Sequence, residues 1–131
     1  MSANGDSNVD LAGASTERRR GPTTRERMQM YAQHAAPLAY GAVQSALRQS
    51  AADVRDISHL ITVSCTGFSA PGLDVALMER FEFLPTTQRI HVGYMGCHGA
   101  INGLRVGQAL VDSNPEARVL LCAVECCSLH Y

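Results

Sequence analysis

Three short apolar runs, Leu60 to Cys65, Arg89 to Tyr94 and Arg118 to Val124, alternate with two stretches of helical spacing, and this restricts the fold more than any other feature. Runs this short and this apolar suit strands of a buried sheet. Between the first two, Leu73, Leu77, Phe81 and Leu84 mark one helical face that stops before Pro85. Between the second and third, the segment from Cys97 winds as another helix and ends at Asn114-Pro115. Strand, helix, strand, helix, strand specifies an α/β fold: a buried, mostly parallel sheet with covering helices and right-handed crossovers. Sites in such sheets assemble at the carboxyl ends of the strands. Here those ends fall at Cys65-Thr66, Met95-Cys97 and Glu125-Cys127, which share one sheet edge if the strands are parallel neighbours.

Upstream, Thr23 or Thr24 can cap a helix with Glu26 in its first turn, and Met28, Tyr31, Ala35, Leu38, Ala42 and Ala46 give it an apolar stripe to about Ser50. Pro37 lies inside and is expected to kink or split it. Residues 1–22 are small and polar, close on Arg18-Arg19-Arg20, and read as a disordered arm before a domain at 23–131. With 131 residues and 46% hydrophobic content, the chain can hold one domain with a real core. A formal net charge of -1 supplies no bulk attraction to nucleic acid or to a membrane surface. No apolar run approaches the roughly 20 residues of a membrane span, and no secretory signal opens the chain, so a cytoplasmic protein is expected. Five cysteines form an odd set, mostly within or beside apolar runs, which reads as reduced thiols.

The stretch Ile90 to Leu110, IHVGYMGCHGAINGLRVGQAL, carries the sharpest chemical signal. A strand ending at Gly93-Tyr94-Met95-Gly96 and a helix starting at Cys97-His98-Gly99 place the Cys97 sulfur on a tight turn at a helix N-terminus. Free backbone N–H groups and the positive end of the helix dipole favour thiolate over thiol there. The flanking glycines permit unusual backbone angles and leave room for a substrate. Cys97 is therefore the candidate nucleophile, set against the plain alternative of a small buried hydrophobe. A cysteine nucleophile needs a proton acceptor. His98 is adjacent but points away around the turn, and His34, His59, His91 and His130 are the other candidates, His130 lying just past the third strand. Cys122, Cys126 and Cys127 do not have the spacing of a zinc knuckle, so no metal is expected. Gly93-x-x-Gly96-x-x-Gly99 lacks the spacing of a dinucleotide loop.

Four segments, SCTGFSAPGLD at 64–74, GYMGCHGAINGLRV at 93–106, NPEARVLL at 114–121 and AVECCSLHY at 123–131, occur in an order that resembles the N-terminal half of the type III polyketide synthases, the chalcone and stilbene synthase family, in its bacterial branch. RMQMYAQHAAPLAYGAVQSAL at 27–47 resembles the helix that precedes them. The resemblance implies a partial thiolase-like fold and a homodimer in the full-length form. It implies an acyltransferase with no cofactor, acyl-CoA and malonyl-CoA being its substrates. Cys97 takes the position of the family's cysteine, which receives an acyl group from a CoA thioester and extends it by decarboxylative condensation. Thr66 matches the threonine after the strand in the substrate loop. That loop is two residues shorter here than in plant relatives, whose loop carries a methionine that reaches into the partner subunit, and Ala70 stands before Pro71-Gly72. Cys127 and His130 take positions where plant enzymes carry pocket-shaping threonines, and His98 stands where plant enzymes commonly have Phe.

No residue matches the family's catalytic histidine and asparagine, which lie in its C-terminal half, so the chain resembles a truncated synthase with little condensing activity of its own. Two other readings are a non-catalytic fragment that associates with full-length synthase subunits and a ketoacyl-ACP synthase III-like condensing enzyme.

Overall fold

The computed structural model describes residues 21–131, so the arm expected at 1–22 lies outside the described residues as far as position 20. Helix α1 (Thr24–Ser50) is followed by strand β1 (His59–Ser64), helix α2 (Leu73–Phe81), strand β2 (Gln88–Gly93), helix α3 (Gly99–Ser113) and strand β3 (Val119–Ala123). The three strands form one parallel sheet in the order β2-β1-β3. The chain steps from β1 to β2 and then back across β1 to β3. With crossovers of constant hand, that reversal demands helices on opposite faces. They are so placed: Leu73 and Leu77 of α2 pack with α1 and Leu60, whereas α3 lies against Ile61, Val63, Val119 and Leu121. Alternate residues of each strand thus serve two different layers, as the pleat requires.

Thr23 caps α1 in a reciprocal box: its Oγ1 accepts from Glu26 N–H at 3.3 Å, and its own N–H donates to Glu26 Oε2 at 2.7 Å. Of the two outcomes expected at Pro37, a kink or a split, the split does not occur: the helix runs through Pro37 unbroken. Pro37 and Gln33, whose carbonyl loses its partner, both lie on the exposed side, so water can replace the missing bond. The buried stripe is Tyr31, Ala35, Ala39 and Val43. The expected stripe agrees at Tyr31 and Ala35 and then drifts, because Leu38, Ala42 and Ala46 face outward. Strict steps of four, rather than of three and four, carry the packed face obliquely along the helix.

Only β1 is buried along its whole length. The burial expected of the third strand is corrected, since β3 is only partly covered, and β2 exposes Gln88, Arg89 and His91. Both are edge strands of the described sheet. On α3 the buried residues are Gly99, Gly103 and Gly107, spaced by four, while Ile101 and Leu104 are 53% and 62% exposed. The glycine face brings the helix backbone close to the sheet and leaves Ile101 and Leu104 turned away from it. No helix of the described chain is long and apolar enough to cross a membrane.

Candidate active site

Parallel pairing of Ser64 with Gly93 and of Val63 with Ala123 brings the carboxyl ends of the three strands level. After β2 the backbone turns sharply: Tyr94 has φ +59° and Gly96 φ +74°, both in the left-handed region. Such a φ is unusual for a side chain as large as Tyr94, whereas glycine adopts it at no steric cost. A 3-10 turn, Gly96–His98, then leads into α3. Cys97 lies in this turn, two residues before the helix proper, rather than at its first residue as the sequence suggested. Its side chain is exposed, and the N-terminal end of α3 begins directly beyond it. Tyr94, 70% exposed, packs edge-to-face on Phe68 at 6.5 Å between centroids, tying the turn to the loop after β1.

The two glycines flanking Cys97 have different roles. Gly96 supplies the left-handed φ. Gly99 is a packing residue, since a Cβ there would lie 3.0 Å from Val63 Cγ1 and 3.5 Å from Cys65 Sγ. The room that the sequence reading assigned to a substrate is, at Gly99, taken up by the sheet. The carbonyl of Gly96 accepts from the Gly99 N–H and from Cys65 Sγ, the latter at 3.2 Å.

Glu125, just past β3, joins the other two strand ends, and its part was not visible in the sequence. Its carboxylate accepts from the Cys65 N–H at 2.8 and 3.0 Å, from the Thr66 N–H at 3.0 Å and from the Thr66 hydroxyl at 2.7 Å. Thr66 Oγ1 in turn accepts from the Cys126 N–H at 2.8 Å. His130 Nε2 lies 2.8 Å from the Thr66 carbonyl. A carbonyl only accepts, so the proton of that bond resides on Nε2. A glutamate beside a strand end gives no sequence signal of its own; only the level register aims it at the β1 loop.

Of the residues singled out from sequence, Thr66 and His130 are therefore in direct contact. Cys127 is exposed and, with Glu125, borders a groove of about 380 Å³ whose other wall is His34, Pro37 and Leu38 of α1. Cys97 makes no hydrogen bond to any histidine among the described residues. His59 is buried beside Ser58, and His91 is paired with Thr62 at 2.9 Å. Burial pushes the Cys122 thiol up to about 11 and raises that of Cys126, where the charges of Glu125 and Cys127 add to the effect. Among the described residues no group of three or more His, Cys, Asp or Glu could hold a metal ion.

Known proteins share this fold and much of this sequence. The family model of the N-terminal domain of chalcone and stilbene synthases matches residues 13–131. The alpha-pyrone synthesis polyketide synthase-like Pks18 of Mycobacterium tuberculosis is 34% identical over 113 residues, covering 86% of this chain and 29% of its own length. The crystal structure of 1,3,6,8-tetrahydroxynaphthalene synthase from Streptomyces coelicolor, a bacterial type III polyketide synthase, superposes with a TM-score of 0.80 at 31% identity, over 86% of this chain and 32% of that one. CsyB complexed with CoA-SH superposes at 0.78 with 27% identity, over 86% and 31%. The chain thus spans about three tenths of the length of these relatives. A parallel sheet with an exposed cysteine turn at its carboxyl edge, and sequence kinship over nearly all of the chain, lead to one assignment: the chain belongs to the chalcone and stilbene synthase family of type III polyketide synthases, as a portion of its thiolase-like N-terminal domain.

Proposed function

We propose that Cys97 is the nucleophile of a type III polyketide synthase that acts on CoA thioesters. The observation that carries this reading is the placement of an exposed Cys97 in the turn before α3, level with the loops at Thr66 and Cys127. In the first step the Cys97 thiolate attacks the thioester carbonyl carbon, the bond to the CoA sulfur breaks, and CoA departs as its thiolate. The acyl group is then held as a thioester on Cys97. Malonyl-CoA loses carbon dioxide, the resulting enolate carbon attacks that thioester, and the Cys97 thiolate is released as the lengthened chain moves to CoA. No cofactor is needed for either step.

Thr66, Cys127 and His130 are proposed to border the acyl chain. Thr66 is held by Glu125, and Cys127 opens onto the groove beside α1. The resemblance assigns proton transfer and enolate stabilisation to a histidine and an asparagine that no residue of this chain matches. Condensation is therefore proposed for the chain together with a complementing C-terminal half, in a homodimeric synthase. The test is intact mass after incubation with an acyl-CoA, with and without a C-terminal half taken from a relative. An adduct that disappears in Cys97→Ser is expected. Its absence under both conditions overturns the reading.

A second reading, association with full-length synthase subunits without catalysis, is favoured by the outer face of α3. Ile101 and Leu104 are exposed there, turned away from the glycine face that meets the sheet, and Val111 is exposed one turn beyond Gly107. Exposed apolar patches of this kind mark surfaces that seek a partner. Sedimentation of the chain alone and mixed with a full-length relative tests it; a monomer in both conditions counts against association.

A further inference from the structure

We propose that Cys65, anchored by Glu125, is the positioning residue that sets the direction in which the Cys97 turn presents its thiol. The proposal rests on the reading of Cys97 as the nucleophile and adds a residue that reaches it through the backbone. Gly96 is bonded directly to Cys97, and its carbonyl belongs to the peptide plane between them. That carbonyl accepts two hydrogen bonds. The Gly99 N–H is local and closes the 3-10 turn. Cys65 Sγ, at 3.2 Å, comes from the end of the central strand and ties the turn to the sheet.

Cys65 is itself fixed. Its N–H donates to both carboxylate oxygens of Glu125, at 2.8 and 3.0 Å, so the residue is held from the β3 side while its sulfur reaches toward the β2 side. The same sulfur lies 3.5 Å from the position a Cβ would take at residue 99, which places it against the first turn of α3 as well. A peptide plane clamped from below cannot rotate without breaking the Cys65 contact, and the Cα–Cβ bond of Cys97 turns with that plane. The sulfur at 65 is thus a support for the turn, while the sulfur at 97 faces solvent.

The experiment follows alkylation of the 131-residue chain by iodoacetamide, with peptide-level mass spectrometry giving separate rates for Cys97 and Cys127 across neutral and mildly alkaline pH. Cys65→Ala removes the donor. It is expected to slow Cys97 by about threefold, the scale of one weak S–H···O contact, and to shift its pH profile while leaving Cys127 unchanged. Cys65→Ser keeps a donor and is expected to restore most of the rate. Should Cys65→Ala lose its helical circular dichroism, Glu125→Gln, which leaves residue 65 intact, is expected to slow Cys97 likewise, the comparison with Cys127 being kept to the Cys65 variants because Glu125 borders the same groove as Cys127. An unchanged Cys97 rate, a parallel change at Cys127, or no recovery in the serine variant overturns the proposal. If acyl-CoA leaves no adduct on Cys97 while residue 65 still governs its alkylation, the positioning role stands and the acyl-transfer reading falls.

Discussion

The Tyr31 hydroxyl donates to Ser64 Oγ at 2.7 Å, joining α1 to the last residue of the central strand where both side chains are buried. Burial raises the phenol above its ordinary range, the bond to Ser64 opposing this only in part, so the hydroxyl stays neutral and keeps its proton to donate. Gly67, in the loop that carries Thr66, packs directly on the Tyr31 ring, where a Cβ would collide with Cβ, Cγ and Cδ2. One aromatic residue of the long helix therefore supports both the end of β1 and the loop beside the cysteine turn.

Removing both partners should cost less than the sum of removing each alone. Tyr31→Phe and Ser64→Ala are each expected to destabilise by about 1–2 kcal/mol, because the remaining buried polar group loses its partner. The double variant should fall short of the sum by about 1 kcal/mol. Urea unfolding of the four proteins measures the coupling, and strict additivity would show that the bond contributes nothing.

The glycine face of α3 gives a prediction of opposite sign at two positions. At Gly107 an added Cβ makes ordinary contacts, 3.5 Å to Val119 Cγ1 and 3.6 Å to Ile61 Cδ1. Gly107→Ala should stabilise by about 0.5–1 kcal/mol through helix propensity. At Gly103 the same atom would lie 2.8 Å from Leu121 Cδ1 and 2.9 Å from the stiff Val63 Cγ2. There the overpacking penalty of about 1–3 kcal/mol outweighs the gain. Thermal midpoints should move apart; a shift of both in one direction would mean that α3 does not rest on the sheet by this face.

How much of this was legible in the sequence depends on the range of the interaction. The Thr23 capping box, the three strands and the cysteine turn follow from residues a few positions apart, and each is present with its ends moved by one or two positions. The packed face of α1 was half legible, because Leu38 fits the apolar pattern as well as Ala39 does and only tertiary packing chooses between them. The apolar pattern of α3 suggests that Ile101 and Leu104 meet the sheet, whereas glycine, invisible to a hydrophobic count, makes the contact. Glu125 was illegible for a different reason. Its partners Cys65 and Thr66 are separated from it by some 60 residues, and only parallel register brings them together.

Acid should loosen the start of α1. Hydrogen bonds to the Glu26 carboxylate, first from the Thr23 backbone and then from its hydroxyl, hold its pKa below the ordinary 4.5. A depressed carboxylate stabilises the fold above the unfolded value and loses that contribution as pH falls through the folded one. Amide exchange at residues 24–27 should therefore accelerate as pH drops below about 4.5, after correction for intrinsic rates, and Glu26→Gln should lessen the response. Equal acid sensitivity in the two proteins would remove Glu26 as the cause.

The thiols should separate by burial. Desolvation moves Cys122 from 9.0 to about 11, which at neutral pH lowers its thiolate population about a hundredfold, and its sulfur is also shielded from reagent. Alkylation of the folded chain should therefore mark Cys97 and Cys127 early and Cys122 only after urea is added. The same shift has a stability consequence with a definite sign. A thiol whose folded pKa is raised contributes fully below the unfolded value of 9.0, and that contribution is lost as pH rises toward about 11. The denaturant midpoint should fall over this alkaline window, and Cys122→Ala, which has nothing to titrate there, should show a shallower fall. Labelling of Cys122 at the rate of Cys127 in the folded protein would place β3 outside the core. Its residue 122 would then not face α1, and the level strand ends that bring Glu125 to Cys65 would lose their basis.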